Sequence, residues 1–334
     1  MSDVAGWDGM GVSIAEVADR LAHQRHPPGG GAPYTLSGVL NLIAYAPDAG
    51  ELAAMQEVIE GLADHQASRT IMLVESGEGD GMDATVSTSC RLAPGSASTM
   101  ALELVVLTIH GETRAGRASA CVPLLRSELP TVLWWPLPPD EAGGGALRGL
   151  LPIVDRVVVE SDRAPDAAAA LRSLARWLPG EHGPAVTDLA WAAITPWRQL
   201  IVQMLDAEKL AALEPGGRAT IVHSAPHPGT GALLMGGWLR DLLGPAIEIE
   251  MQPREDSALG LLVLELRGPT GRHLQVERLH GRDAATVTVT EPDGTLRVRT
   301  LPLPEAGRAR LLAGELEIQR RDRAFERALA KALP

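Results

Sequence analysis

Between Ser13 and Leu205, short apolar runs alternate with segments whose apolar residues recur every three or four positions. The runs are Thr35–Ala46, Thr70–Glu75, Met100–His110, Leu129–Pro136 and Ile153–Glu160. Between them lie helical patterns with their own start signals. Ser13 and Glu16 form a capping box for Ile14, Val17 and Leu21. Asp48 and Glu51 precede Leu52, Met55, Ile59 and Leu62, and Asp162 and Pro165 precede Leu171, Leu174 and Leu178. Gly116–Leu129 also reads as helical, interrupted at Pro123. Thr195 can cap a further helix with Pro196 at its first position, running through Leu200 and Met204 and as far as Leu213. Strand–helix alternation of this kind predicts an α/β domain. Asp83–Leu92 departs from it, alternating Ala84, Val86 and Thr88 with Thr85, Ser87 and Ser89. That period of two marks a half-buried strand hairpinned onto Met100–His110 through Pro94-Gly95-Ser96, so the sheet is mixed.

Past residue 206 the pattern changes. One strand–helix pair, Ala219–Ser224 and Gly229–Leu243, precedes a run of strands from Ala258 to Leu301. Turns at Gly268–Gly271, His280-Gly281 and Pro292-Asp293-Gly294 punctuate the run, and helices carrying Ile318, Phe325 and Leu329 close the chain. The expected architecture is therefore α/β (α+β): a mixed-sheet domain over 1–205 and a smaller α+β domain with an antiparallel sheet over 206–334.

The net charge of −12 lacks the basic footprint needed to hold a phosphate backbone or an anionic bilayer, which argues against nucleic-acid and membrane partners. No cationic start leads into an apolar run, and the uncharged stretch Pro27–Pro47 is broken by Gly, Pro, Ser37 and Asn41; a cytoplasmic protein is expected. Cys90 and Cys121 make neither a disulfide framework nor a zinc site. His23/His26 and His223/His227 have ligand spacing, but Pro27 and Pro226 disrupt them, so no metal is expected. Pro228-Gly229-Thr230-Gly231 follows a strand and opens a helix, as a phosphate loop does, but lacks both the lysine of a nucleoside-triphosphate loop and the glycine spacing of a dinucleotide fingerprint. No Gly-x-Ser-x-Gly nucleophile elbow occurs.

The aromatic residues are more informative, with seven Trp against two Tyr and one Phe. Adjacent Trp134 and Trp135 must point to opposite faces of their strand, so both can be core only if both faces are covered. Trp191 and Trp197 flank the Thr195-Pro196 helix start. Core packing and partner anchoring are the two readings of such a set.

The segments LPTVLWWPLPPD (129–140) and DLAWAAITPWRQLIVQMLD (188–206) closely resemble those of the glucose-6-phosphate dehydrogenase assembly protein (OpcA) family, and ASRTIMLVES (67–76) and the PLL…LP stretch (123–130) also fit. The resemblance covers nearly the whole chain. It implies a non-catalytic assembly factor or allosteric activator that binds glucose-6-phosphate dehydrogenase and feeds the oxidative pentose phosphate pathway, without a cofactor. The matching positions Trp134, Trp135, Trp191, Thr195, Pro196, Trp197 and Arg198 become candidate partner-binding residues. Cyanobacterial members are associated with thioredoxin control, which two cysteines without a Cys-x-x-Cys pair do not support here. The competing reading is a nucleotide- or sugar-phosphate-binding α/β enzyme built on Gly229–Gly231.

Overall fold

The computed structural model of the chain describes residues 4–24, 39–62, 68–76, 79–92, 99–111, 116–137, 139, 144–205, 217–224, 226–255 and 260–333. The connections expected at 26–31 and 94–96, and the helix extension to Leu213, lie outside the described residues. The chain forms two compact units, each assembled from three stretches.

The first unit comprises Met1–Val159, Pro179–Thr187 and Arg308–Arg321. Its strands are β1 (Val4–Gly9), β2 (Leu40–Ala46), β3 (Ser68–Ser76), β4 (Gly81–Leu92), β5 (Thr99–His110), β6 (Thr131–Trp135), β7 (Arg156–Val159) and β8 (Ala185–Asp188, whose last residue belongs to the second unit). They form one sheet in the order β1-β4-β5-β3-β2-β6-β7-β8. The continuously apolar strands β2, β3, β6 and β7 pair in parallel and are buried along most of their length, as strands covered on both faces must be. The period-two strand β4 is antiparallel to β1 and β5, making the sheet mixed as predicted. Its Ala84, Val86 and Thr88 are buried while Thr85 is exposed.

Helix starts follow the side chains that can satisfy free backbone donors. At Ile14–Gln24 the capping box is formed, with Ser13 N donating to Glu16 Oε2 at 2.8 Å. At Ala49–Leu62, Asp48 Oδ1 accepts from Glu51 N at 2.8 Å. Two expectations need correction. The segment 116–129 is interrupted at Pro123 as expected but does not resume as a helix: the helix ends at Cys121 and the chain tightens into a 3₁₀ turn over Val122–Leu124. Ile318 lies beyond the helix Arg308–Leu316 and is 41% exposed, so it belongs to no buried stripe.

The second unit comprises Glu160–Leu178, Asp188–Gly307 and Asp322–Pro334. Its strands β9 (Arg218–Ser224), β10 (Glu248–Arg254), β11 (Leu261–Arg267), β12 (His273–Arg278), β13 (Ala284–Thr290) and β14 (Leu296–Pro302) form a sheet ordered β10-β9-β11-β12-β13-β14. All neighbours are antiparallel except β9 and β10, which are parallel and joined through the helix Thr230–Leu243. That helix packs against Arg323–Lys331 so closely that a Cβ on Gly237 would collide with the carbonyl oxygen of Ala328. The helix expected to start near Asp162 begins at Ala167 instead, because Asp166 is the residue whose carboxylate accepts from Ala169 N, at 2.9 Å. Among the described residues no helix is long and apolar enough to cross a membrane.

Candidate functional site

In the first unit, charged residues inside apolar strands fix the segment 124–131. Arg69 and Glu103 are register partners on β3 and β5, and their side chains pair at 2.7 Å with almost no exposure. Arg69 Nη1 donates to Leu124 O at 2.7 Å, and Arg126 brings Nη2 to 3.7 Å from Glu103. From β2, fully buried Asn41 donates to Arg126 O (2.9 Å) and Leu129 O (3.2 Å) and accepts from Arg126 N (3.0 Å). Asp155 Oδ2 accepts from Thr131 N at 2.8 Å. Buried polar groups with several partners hold one geometry, because a shifted loop would leave them unsatisfied in a low-dielectric interior. Ser127 and Glu128 are thereby presented outward on a fixed turn. Beside them a cavity of about 410 Å³ is walled by Leu129, Pro130, Leu316 and Ile318, with Arg156 at its side.

Behind this segment β6 carries Trp134 and Trp135, exposed by 0% and 1%. Trp134 lies 4.8 Å from the guanidinium of Arg308, which also pairs with Glu51 at 2.7 Å. Trp135 points the other way and stacks on Tyr45, with centroids 4.0 Å apart. Both sheet faces are therefore covered, the condition under which adjacent tryptophans can both be core.

In the second unit, DLAWAAITPWR forms two short helices, Leu189–Ala193 and Thr195–Met204, separated by Ile194. Fully buried Asp188 caps the first, accepting from Ala190 N (3.0 Å) and from Ser161 N (3.2 Å). Burial pushes its carboxyl up to about 7, against the pull of these hydrogen bonds. Trp191 donates from Nε1 to Asp322 Oδ2 at 2.7 Å and tilts against Phe325 with centroids 5.8 Å apart. Asp322 Oδ1 in turn caps the last helix, accepting from Ala324 N and Phe325 N. The Arg198 guanidinium stacks 3.5 Å over the Trp191 ring and donates to Thr195 Oγ1 at 2.7 Å. Thr195 is thus not the expected cap. It is the first helical residue, with Pro196 second, and its hydroxyl turns back to donate to Trp191 O. Trp197 is 1% exposed beneath the guanidinium of Arg278, 5.6 Å away.

All four candidate tryptophans are therefore core side chains in the free protein, while Thr195, Pro196 and Arg198 are half-buried. Sequence reading missed Asn41, Arg69, Glu103, Asp155 and Asp322. A signal existed for two of them, since Asn41 and Glu103 are polar residues inside otherwise apolar strand runs.

The Pro228–Gly231 loop opens the helix Thr230–Leu243 beside a cavity of about 620 Å³, whose walls include Asp162 and Asp166. Those carboxylates repel a phosphate. Among the described residues no group of three or more His, Cys, Asp or Glu is placed to hold a metal ion. Cys121 is buried, and that burial pushes its thiol up to about 12; the Cys90 side chain lies outside the described residues.

Two family models match in order along the chain. Residues 60–176 match the N-terminal domain of a glucose-6-phosphate dehydrogenase subunit, and residues 184–329 match the C-terminal domain of the same kind of subunit. A Synechocystis sp. protein named for the OxPP cycle, OpcA, is 27% identical over 152 residues. That match spans 44% of this chain and 31% of the relative, so the chain matches about a third of that protein's length. With both domain models matched in succession over most of its length, the chain belongs to the OpcA family of glucose-6-phosphate dehydrogenase assembly proteins.

Proposed function

We propose that this protein binds glucose-6-phosphate dehydrogenase as a non-catalytic assembly factor and allosteric activator, acting in the cytoplasm in support of the oxidative pentose phosphate pathway. The observation that carries the reading is the ordered match of both domains named for a subunit of that enzyme. The segments of strongest family resemblance are held in fixed positions by buried polar networks, which supports a binding role. Trp134, Trp135, Trp191 and Trp197 act from beneath the surface, fixing the elements a partner meets, while Thr195, Pro196 and Arg198 lie close enough to the surface to touch it.

Activation requires preferential binding to the active conformation or oligomer, and each tenfold preference corresponds to about 1.4 kcal/mol. The dehydrogenase of the same organism is titrated with this protein while NADPH formation is followed, alongside a binding assay with and without glucose 6-phosphate. A saturable rise in rate with defined stoichiometry is expected, and by linkage substrate tightens the complex. Two folded proteins that form no complex and show no rate change refute the reading. The alternative, a nucleotide- or sugar-phosphate-binding enzyme, draws on the cavity beside Gly229–Thr230, and its mark is a thermal shift with such ligands alone.

A further inference from the structure

The six-stranded sheet ends on β14, whose far edge is unpaired among the described residues. Five consecutive residues, Leu296–Thr300, are exposed, a row of backbone donors and acceptors open to a further strand. Leu296 and Val298 are 62% and 59% exposed, and no other element carries two exposed large apolar side chains among the described residues. They share one face, opposite Thr290 and Thr288 of β13, so the apolar strip continues inward as threonine methyls. The hairpin that presents the strip is fixed: Arg272 pairs with Glu291, Asp293 Oδ1 accepts from Thr295 N at 2.8 Å, and Gly294 supplies the positive φ of the turn.

The charge on the strand says what can join it. In a chain of net charge −12, β14 carries Arg297 and Arg299 and no carboxylate. Neither arginine forms an ion pair among the described residues; Arg297 acts on Asp293 of the preceding turn only through its field. A second copy is a poor occupant, because antiparallel self-pairing centred on Val298 would set Arg297 against Arg299. We infer that β14 is the docking edge for the dehydrogenase, which adds to it an extended segment bearing carboxylates opposite Arg297 and Arg299 and apolar side chains over Leu296 and Val298.

This surface rests on the proposed partnership, so the experiment separates the two. Binding of the full-length protein to the dehydrogenase is measured for wild type, for Leu296→Lys/Val298→Lys and for Arg297→Glu/Arg299→Glu. Amide exchange is followed over 296–301 in the free and bound protein. Both variants keep the wild-type melting temperature, since these side chains are exposed. The lysine pair weakens binding at least tenfold. The charge reversal weakens it at low salt, with the deficit shrinking as salt rises. In the wild-type complex, exchange at 296–301 slows. A wild-type complex with unchanged affinity in both variants and unchanged exchange overturns the docking edge and leaves the partnership standing. Absence of any wild-type complex overturns both, and self-association through β14 overturns the choice of occupant.

Discussion

Replacing Glu315 by alanine tests how the first unit holds together across the chain. Arg156, at the start of β7, is 1% exposed, and its Nη2 meets Glu315 Oε2 at 2.6 Å. Its Nη1 donates to Arg320 O at 2.9 Å, while Nε has no hydrogen-bond partner. Alanine at 315 therefore strands a buried guanidinium with a single carbonyl. Breaking one side of a buried pair costs about 3–5 kcal/mol, more than the few tenths to 1 kcal/mol of an exposed bridge. For a unit of this size each kcal/mol shifts the melting temperature by roughly 2–4 °C, so a fall of about 6–20 °C is expected. Arg156→Met/Glu315→Leu removes both charges and fills the space, so it recovers most of the loss. Thermal unfolding followed by tryptophan fluorescence, combined as a double-mutant cycle, reads the coupling. A Glu315→Ala cost under about 1 kcal/mol, or a double variant as damaged as the single, refutes the reasoning.

Trp197→Ala removes a buried indole and costs about 3–5 kcal/mol of stability; a variant that melts like wild type but binds the dehydrogenase weakly would make Trp197 an anchor instead. Activation has the same titration curve under oxidant and under thiol reductant, because the chain has no Cys-x-x-Cys pair and the Cys121 thiol, pushed up to about 12, supplies almost no thiolate; an oxidative loss restored by thiol and absent in Cys→Ser variants contradicts this. A fragment ending at Leu205 lacks Arg308–Leu316, and with it the Glu315 carboxylate that pairs with Arg156 and the Arg308 guanidinium that pairs with Glu51, so it melts below the intact protein, as circular dichroism reads. Asp188, at about 7 in the folded protein, keeps a proton that the unfolded chain releases near pH 4, so stability falls as pH rises between those values. Asp188→Asn keeps an acceptor for Ser161 N and Ala190 N and removes up to about 1.4 kcal/mol per pH unit of that slope; wild type and variant that lose equal stability between pH 5 and 7, read by urea unfolding, refute it.

Periodicity made most strands and most helices legible, because each is a local pattern of burial. The strands Thr70–Glu75 and Asp83–Leu92 were readable within a few residues, and the capping residues of the first two helices were read directly. Asp166 and Thr195 were not, because several polar residues near a helix start can each cap it and only the backbone path decides. β8 and β10 escaped notice for a related reason. AVTD is four residues long, and EIEMQPR carries charge and proline at a sheet edge, so neither shows a clear apolar run. The candidate tryptophans stood out by their number and spacing, but sequence could not say which faces were covered; that depends on Arg308 and Tyr45, remote in the chain. The same distance hid Asp322, which meets Trp191 across 131 positions.

The buried polar groups also bear on the activation proposed above. Arg69–Glu103 and Arg156–Glu315 are not needed for stability as such, since well-packed apolar pairs often serve as well or better. What they add is direction: a guanidinium aimed at Leu124 O, or an amide aimed at Arg126 and Leu129, is satisfied in one loop position and unsatisfied in its neighbours. A binder whose loop is already fixed loses little conformational entropy on docking. It also cannot remodel itself to suit two shapes of its partner, so its affinity for those shapes differs, and that difference is the whole of its power to shift the partner's equilibrium.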